Sequence, residues 1–66
     1  MSTLAEEYPK ELERCRELLK QYQKLGSMGT FGAAMISAVI KRAEEANDKK
    51  DLVKMLQSFK EMERCE

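Results

Sequence analysis

Apolar side chains recur along this chain at intervals of three and four, and nowhere do they alternate at period two for long enough to mark a strand. Tyr8, Leu12, Cys15, Leu19 and Tyr22 follow one another at spacings of 4, 3, 4 and 3, the stripe of a helix packed along its length. Leu18 and Leu25 widen that stripe. The pattern predicts a first helix over about residues 9–25. Pro9 suits the first helical position, where its missing N–H costs nothing. Thr3-Leu4-Ala5-Glu6 reads as a capping box for a leading turn, so a separate turn or a kink is expected at Tyr8-Pro9. Gly26 then supplies the stop.

The second helix is expected over about 31–46, with Thr30 as its N-cap. Phe31, Met35, Ile36, Val39, Ile40 and Ala43 cover more than one of its faces, as in a helix placed centrally. Ala33, Ala34, Ser37 and Ala38 are small enough to let another helix approach closely. Asn47-Asp48-Lys49-Lys50 reads as a tight turn with Asp48 as cap. The third helix, over about 49–64, carries Leu52, Met55, Phe59 and Met62 at spacings of 3, 4 and 3. A connection of about four residues implies an antiparallel hairpin of the second and third helices. The expectation is therefore all-α: one domain over 1–66, with the first helix packed on that hairpin and the whole assembled as a homodimeric helical bundle.

Length and charge narrow the functions. Only 66 residues are available, and a domain of that size buries about 60% of the surface its unfolded chain exposes. A partner, metal or disulfide would help it. There is no His, hence no imidazole base, no His-ligated metal and no Ser-His-Asp triad. Twelve Lys and Arg balance twelve Asp and Glu, against a role resting on phosphate neutralisation. The longest apolar stretch, residues 31–40, is half of the roughly 20 residues a membrane span needs. Glu6 and Glu7, with no apolar run beside them, argue against a signal peptide. A soluble cytoplasmic protein is the expectation.

Cys15 and Cys65 are too few for a disulfide framework. If the first and third helices run parallel from residues 9 and 49, the two cysteines differ in height by about 15 Å at 1.5 Å per residue. A disulfide needs Cα atoms within about 7 Å. Two free thiols are expected, with any bridge between Cys65 residues of two chains an oxidation artefact. Two thiolates also fall short of a zinc site.

The remaining motifs weigh toward ordinary structure. Gly26-x-x-Gly29-x-x-Gly32 before a helix resembles an anion cradle, but it lacks the Lys-Ser/Thr of a P-loop and any preceding strand. The simpler reading is that these glycines end one helix, turn the chain and let Phe31 fold inward. Glu6, Glu7, Glu11, Glu13, Glu17, Glu44 and Glu45 fall mainly on outer helix faces beside Lys10, Arg14, Arg16 and Lys20, as solvated ion pairs rather than an acid–base pair. No catalytic residue, cofactor or metal is assigned. Lys20, Lys24, Lys41 and Arg42 form a modest basic patch, the basis of an alternative reading as a small nucleic-acid-associated regulator.

The apolar excess of the second helix carries the preferred reading. In a three-helix monomer that helix meets only two neighbours, and apolar surface left over marks an interaction site. Tyr22, Leu25, Met28, Phe31, Met35, Ile36, Ile40 and Met55 are the candidate protein interface. Methionine suits an adaptable contact surface. A non-enzymatic protein-binding module results, forming a homodimer and engaging a protein partner.

The run Leu25-Gly26-Ser27-Met28-Gly29-Thr30-Phe31-Gly32-Ala33-Ala34-Met35-Ile36, with Arg42-Ala43-Glu44 and Asp51-Leu52-Val53, resembles small helical proteins encoded in bacteriophage and prophage genomes. Several classes of these inhibit or redirect host proteins by direct binding. The resemblance implies a modulator of a host protein and transfers no functional residue.

Overall fold

The computed structural model describes residues 3–65. They form three α-helices that pack together, with no strand among the described residues: α1 (Leu4–Lys24), α2 (Thr30–Lys49) and α3 (Leu52–Glu63). A single 3-10 turn, Gly26–Gly29, joins α1 to α2.

The capping box signals the true start of α1. The Thr3 hydroxyl accepts from the Glu6 amide at 3.3 Å, and Glu6 and Glu7 lie in the first turn, where the helix dipole favours anions. The helix then passes through Pro9 without ending, so the expected start at residue 9 is corrected to Leu4. Proline removes one backbone bond, to the Ala5 carbonyl. Ala5 and Pro9 are both exposed, so water can satisfy that oxygen. Tyr8, immediately before Pro9, is only 1% exposed, and its burial ties this turn to the core.

Gly29, rather than Thr30, precedes α2 as its cap; the Thr30 hydroxyl instead donates to the Gly26 carbonyl at 3.3 Å. The far end of α2 also differs from expectation. Asn47, Asp48 and Lys49 continue the helix, and Lys50 stops it in the left-handed region at φ 53°. Asp51, not Asp48, caps α3, its carboxylate accepting from the Lys54 amide at 3.3 Å. The link between α2 and α3 is thus two residues long.

The core takes Tyr8, Leu12 and Cys15 from α1, Ile36, Val39, Ile40, Ala43 and Ala46 from α2, and Met55 and Met62 from α3. Leu19, Tyr22 and Phe59 pack against it, partly buried. At its centre the Tyr8 hydroxyl donates to the Ala43 carbonyl of α2 at 2.8 Å, with the Ser58 side chain of α3 beside it. The Tyr8 ring stacks on Phe59 with centroids 6.4 Å apart.

Arg14 performs a second joining role. Its guanidinium, held by Glu11 at 3.0 Å, donates to the carbonyls of Met62 and Cys65. These oxygens lie at and just past the C-terminal end of α3, where regular i to i+4 bonding runs out. Surface ion pairs Arg16–Glu44 at 3.0 Å and Arg42–Glu61 at 2.7 Å link α1 to α2 and α2 to α3. Such exposed pairs contribute under about 1 kcal/mol each.

The expected distance between the cysteines is corrected as well. The Cys15 thiol donates to the Met62 carbonyl at 3.7 Å, and the same oxygen accepts from the Cys65 amide at 3.1 Å. The error came from the helix starts. Counted from Leu4 and Leu52, Cys15 and Cys65 lie nearly equally far along, and the 15 Å gap shrinks to about 3 Å at 1.5 Å per residue.

Three measurements check this packing. Tyr8→Phe removes the hydrogen bond to the Ala43 carbonyl, so it is expected to cost about 1 kcal/mol in denaturant unfolding. Burial raises the Tyr8 phenol above its ordinary 10.0 and pushes the Cys15 thiol from 9.0 to about 11. Over those ranges the unfolded chain gives up protons that the folded chain keeps, so stability falls as pH rises. Thermal melts are expected to hold their midpoint up to pH 9.0 and drop through about 11; Cys15→Ala should flatten that drop and Tyr8→Phe the part above 10.0. Lys50→Gly relieves the left-handed residue and is expected to stabilise by about 1 kcal/mol.

Candidate interaction surface

The turn between α1 and α2 decides what α2 exposes. Gly26 sits at φ 65°, a conformation open to glycine without steric cost. Gly29 and Gly32 serve a different need, which is room for Tyr22. A Cβ on Gly29 would run into the Tyr22 carbonyl oxygen, and one on Gly32 would overlap the Tyr22 ring. The three glycines therefore turn the chain and let the last turns of α1 close onto the start of α2.

Tyr22 takes the inner position over Gly32. Phe31 consequently does not fold inward: it is 78% exposed, and Met28 in the turn is 90% exposed. Leu25 and Met35 are exposed too. Phe31, Ala34, Met35 and Ala38, all exposed, follow i, i+3, i+4, i+7 spacing, which puts them along one face of α2. That face is apolar and exposed along its length. Leu25 and Met28 lie at its foot.

Of the eight expected interface residues, the structure leaves Leu25, Met28, Phe31 and Met35 on the surface and Tyr22 half-buried. Ile36, Ile40 and Met55 are corrected: each is buried in the core. Ile36 and Ile40 lie on the side of α2 that α1 and α3 cover, one residue round from Met35 and Val39. Periodicity shows that α2 has apolar residues on several faces, but not which ones its neighbours reach.

A second apolar cluster escaped sequence reasoning. Leu52, Val53 and Leu56 on α3 are exposed, Leu52 at 66%. Leu52 had been placed on the inward stripe; Met55, Ser58 and Met62 carry that stripe instead. This cluster starts beyond the C-terminal end of α2, whose 20 residues span about 30 Å, so it is remote from Met28 and Phe31.

Beside the exposed face of α2 lies a cleft of about 530 Å³, lined by Tyr22, Met35, Val39, Arg42, Glu61 and Cys65 among others. Its apolar floor is bordered by the Arg42–Glu61 pair. Among the described residues no three His, Cys, Asp or Glu side chains converge as metal ligands. The cleft offers hydrophobic contact and one charged edge.

The basic residues do not gather into an unopposed patch. Arg42 bonds Glu61, and Lys20 reaches Glu17 at 3.2 Å. Arg16 lies between Glu13 and Glu44. Lys24 and Lys41 are exposed. No helix among the described residues is long and apolar enough to cross a membrane. Comparisons with protein families, curated proteins and solved structures find no match to this chain.

The two glycines over Tyr22 separate in their response to substitution. A methyl group on Gly32 meets a ring that can turn aside, whereas on Gly29 it meets backbone. Overpacking costs about 1–3 kcal/mol; chemical denaturation is expected to place Gly29→Ala at the upper end of that range and Gly32→Ala at the lower.

Proposed function

We propose that this chain is a non-enzymatic protein-interaction module whose contact surface is the exposed face of α2 with Leu25, Met28 and Phe31 at its foot. The observation that carries the reading is the exposure of Met28 and Phe31, two large apolar side chains presented together with Met35. Clustered exposed apolar residues of this kind mark binding surfaces.

The first occupant of this surface is a second copy of the chain. Ala34 and Ala38 keep the middle of the face low, so two copies of α2 can approach closely while Phe31 and Met35 pack across a two-fold axis. One self-complementary patch then serves both protomers. A standard interface takes about 800 Å² from each partner, a modest share of the 4980 Å² surface. Within each protomer we read α2 and α3 as an antiparallel hairpin with α1 packed against it, supported by the two-residue link and the Arg42–Glu61 pair.

The resemblance to phage-encoded helical proteins supplies the wider role: binding a host or cellular protein in the cytoplasm and modulating it. Zero net charge suits recognition by apolar contact. A nucleic-acid role draws no support from the site, since Arg42 and Lys20 are occupied by carboxylates.

Light scattering of the wild-type chain is expected to report the mass of two protomers. Phe31→Asp or Met28→Asp should weaken association about tenfold or more, as loss of a central anchor does, with helical circular dichroism retained. A monomer at every concentration would remove the dimer. A dimer that persists in the double variant would remove this surface.

A further inference from the structure

The two cysteines, expected far apart, meet at one carbonyl oxygen, Cys15 through its thiol and Cys65 through its backbone amide. Met62 O accepts the Cys65 amide at 3.1 Å and the Cys15 thiol at 3.7 Å, and it also receives the Arg14 guanidinium. The Cys65 thiol donates to the Glu61 carbonyl at 3.5 Å, one turn back on α3. The two side chains lie close enough for a charge on one to be felt by the other. Both are reduced, Cys15 fully buried and Cys65 half-buried. One thiol is thus shielded within α1 and the other within reach of solvent just past the end of α3.

We propose that Cys15 and Cys65 form a reversible intramolecular disulfide, made by exchange with a small-molecule disulfide of the glutathione class, which fastens the C-terminal end of α3 to α1. The accessible Cys65 reacts first. Its thiolate attacks one sulfur of glutathione disulfide, forming a Cys65–glutathione bond and releasing one glutathione thiolate, which takes up the proton Cys65 gave to solvent. Cys15 then loses its proton and attacks the Cys65 sulfur. The protein disulfide forms as the second glutathione leaves and is protonated. Two protein thiols are oxidised and one glutathione disulfide is reduced to two thiols, so atoms and electrons balance.

The order follows from the environment. Burial pushes the Cys15 thiol up to about 11, so few Cys15 thiolates exist near neutrality and none lies open to glutathione. Thiolate is the attacking form, which makes the second step the slower one and speeds it as pH rises. Arg14 lies against the same carbonyl and keeps a positive charge beside the developing Cys15 thiolate. The bridge joins residues about 50 apart, a long closed loop that restricts the unfolded chain strongly.

The test is to equilibrate the wild-type chain with oxidised and reduced glutathione in varied ratio, block the remaining thiols and weigh the intact protein. The expected product is a species lighter by two hydrogen atoms, with a Cys15–Cys65 linked peptide after digestion. It carries no glutathione and melts on the order of 10 °C higher. Cys65→Ser should leave Cys15 unmodified in the folded protein, and Cys15→Ala should stop at the Cys65–glutathione adduct. The proposal fails if wild type stops at that adduct, if it yields only a Cys65–Cys65 linked dimer, or if the bridged form melts lower than the reduced one.

Discussion

The phenol of Tyr8 is the point at which all three helices are joined. Its hydroxyl donates to Ala43 on α2 and lies beside Ser58 on α3, while its ring lies against Phe59. A core this small has few aromatic side chains to spend; the chain holds two Tyr and two Phe. With Phe31 outside, Tyr8, Tyr22 and Phe59 supply the aromatic packing. Burial of a phenol is favourable only if its oxygen is satisfied, so the positions of Ala43 and Ser58 are set together with that of Tyr8. The passage of α1 through Pro9 follows, because a helix starting after Tyr8 would lose this anchor.

Arg14 and the glycine turn extend the same logic to the middle and the C-terminal end of α1. Midway along α1, Arg14 reaches across to the Met62 and Cys65 carbonyls at and just past the end of α3 and ties that stretch of chain to α1 beside Cys15. At the C-terminal end, Gly29 and Gly32 admit Tyr22 to the inner side of α2. Both contacts use α1 to hold a helix terminus. The consequence for function is indirect: filling the inner side with Tyr22 turns Phe31 and Met28 toward solvent, where an otherwise satisfied small domain presents hydrophobic surface.

Sequence reasoning was strongest where one side chain pattern had one structural solution. The stripe Tyr8, Leu12, Cys15 could only be a packed helix face, and Thr3 with Glu6 could only be a cap. It was weaker wherever a choice depended on what lay opposite. Gly26, Gly29 and Gly32 announced a turn, yet the competition between Tyr22 and Phe31 for the inner position is invisible without both helices in place. Arg14 read as one more solvated charge because its acceptors are about 50 residues away in sequence. Among the interface residues, Leu25, Met28, Phe31 and Met35 came out exposed, whereas Ile36, Ile40 and Met55 did not. On a helix apolar around most of its circumference, hydrophobicity alone does not distinguish core from contact surface.

The order of residues by itself determined an all-helical chain, the number of helices and the absence of any imidazole, since these depend on local periodicity, capping and composition. Tertiary structure alone decided which side of α2 faces water, that Leu52, Val53 and Leu56 lie outside, and that Cys15 meets Cys65. Those outcomes turn on helix register, which shifts by 1.5 Å with each residue of error in a helix start. Register is set by contacts between residues distant in sequence, chiefly Tyr8 with Ala43 and Arg14 with Met62.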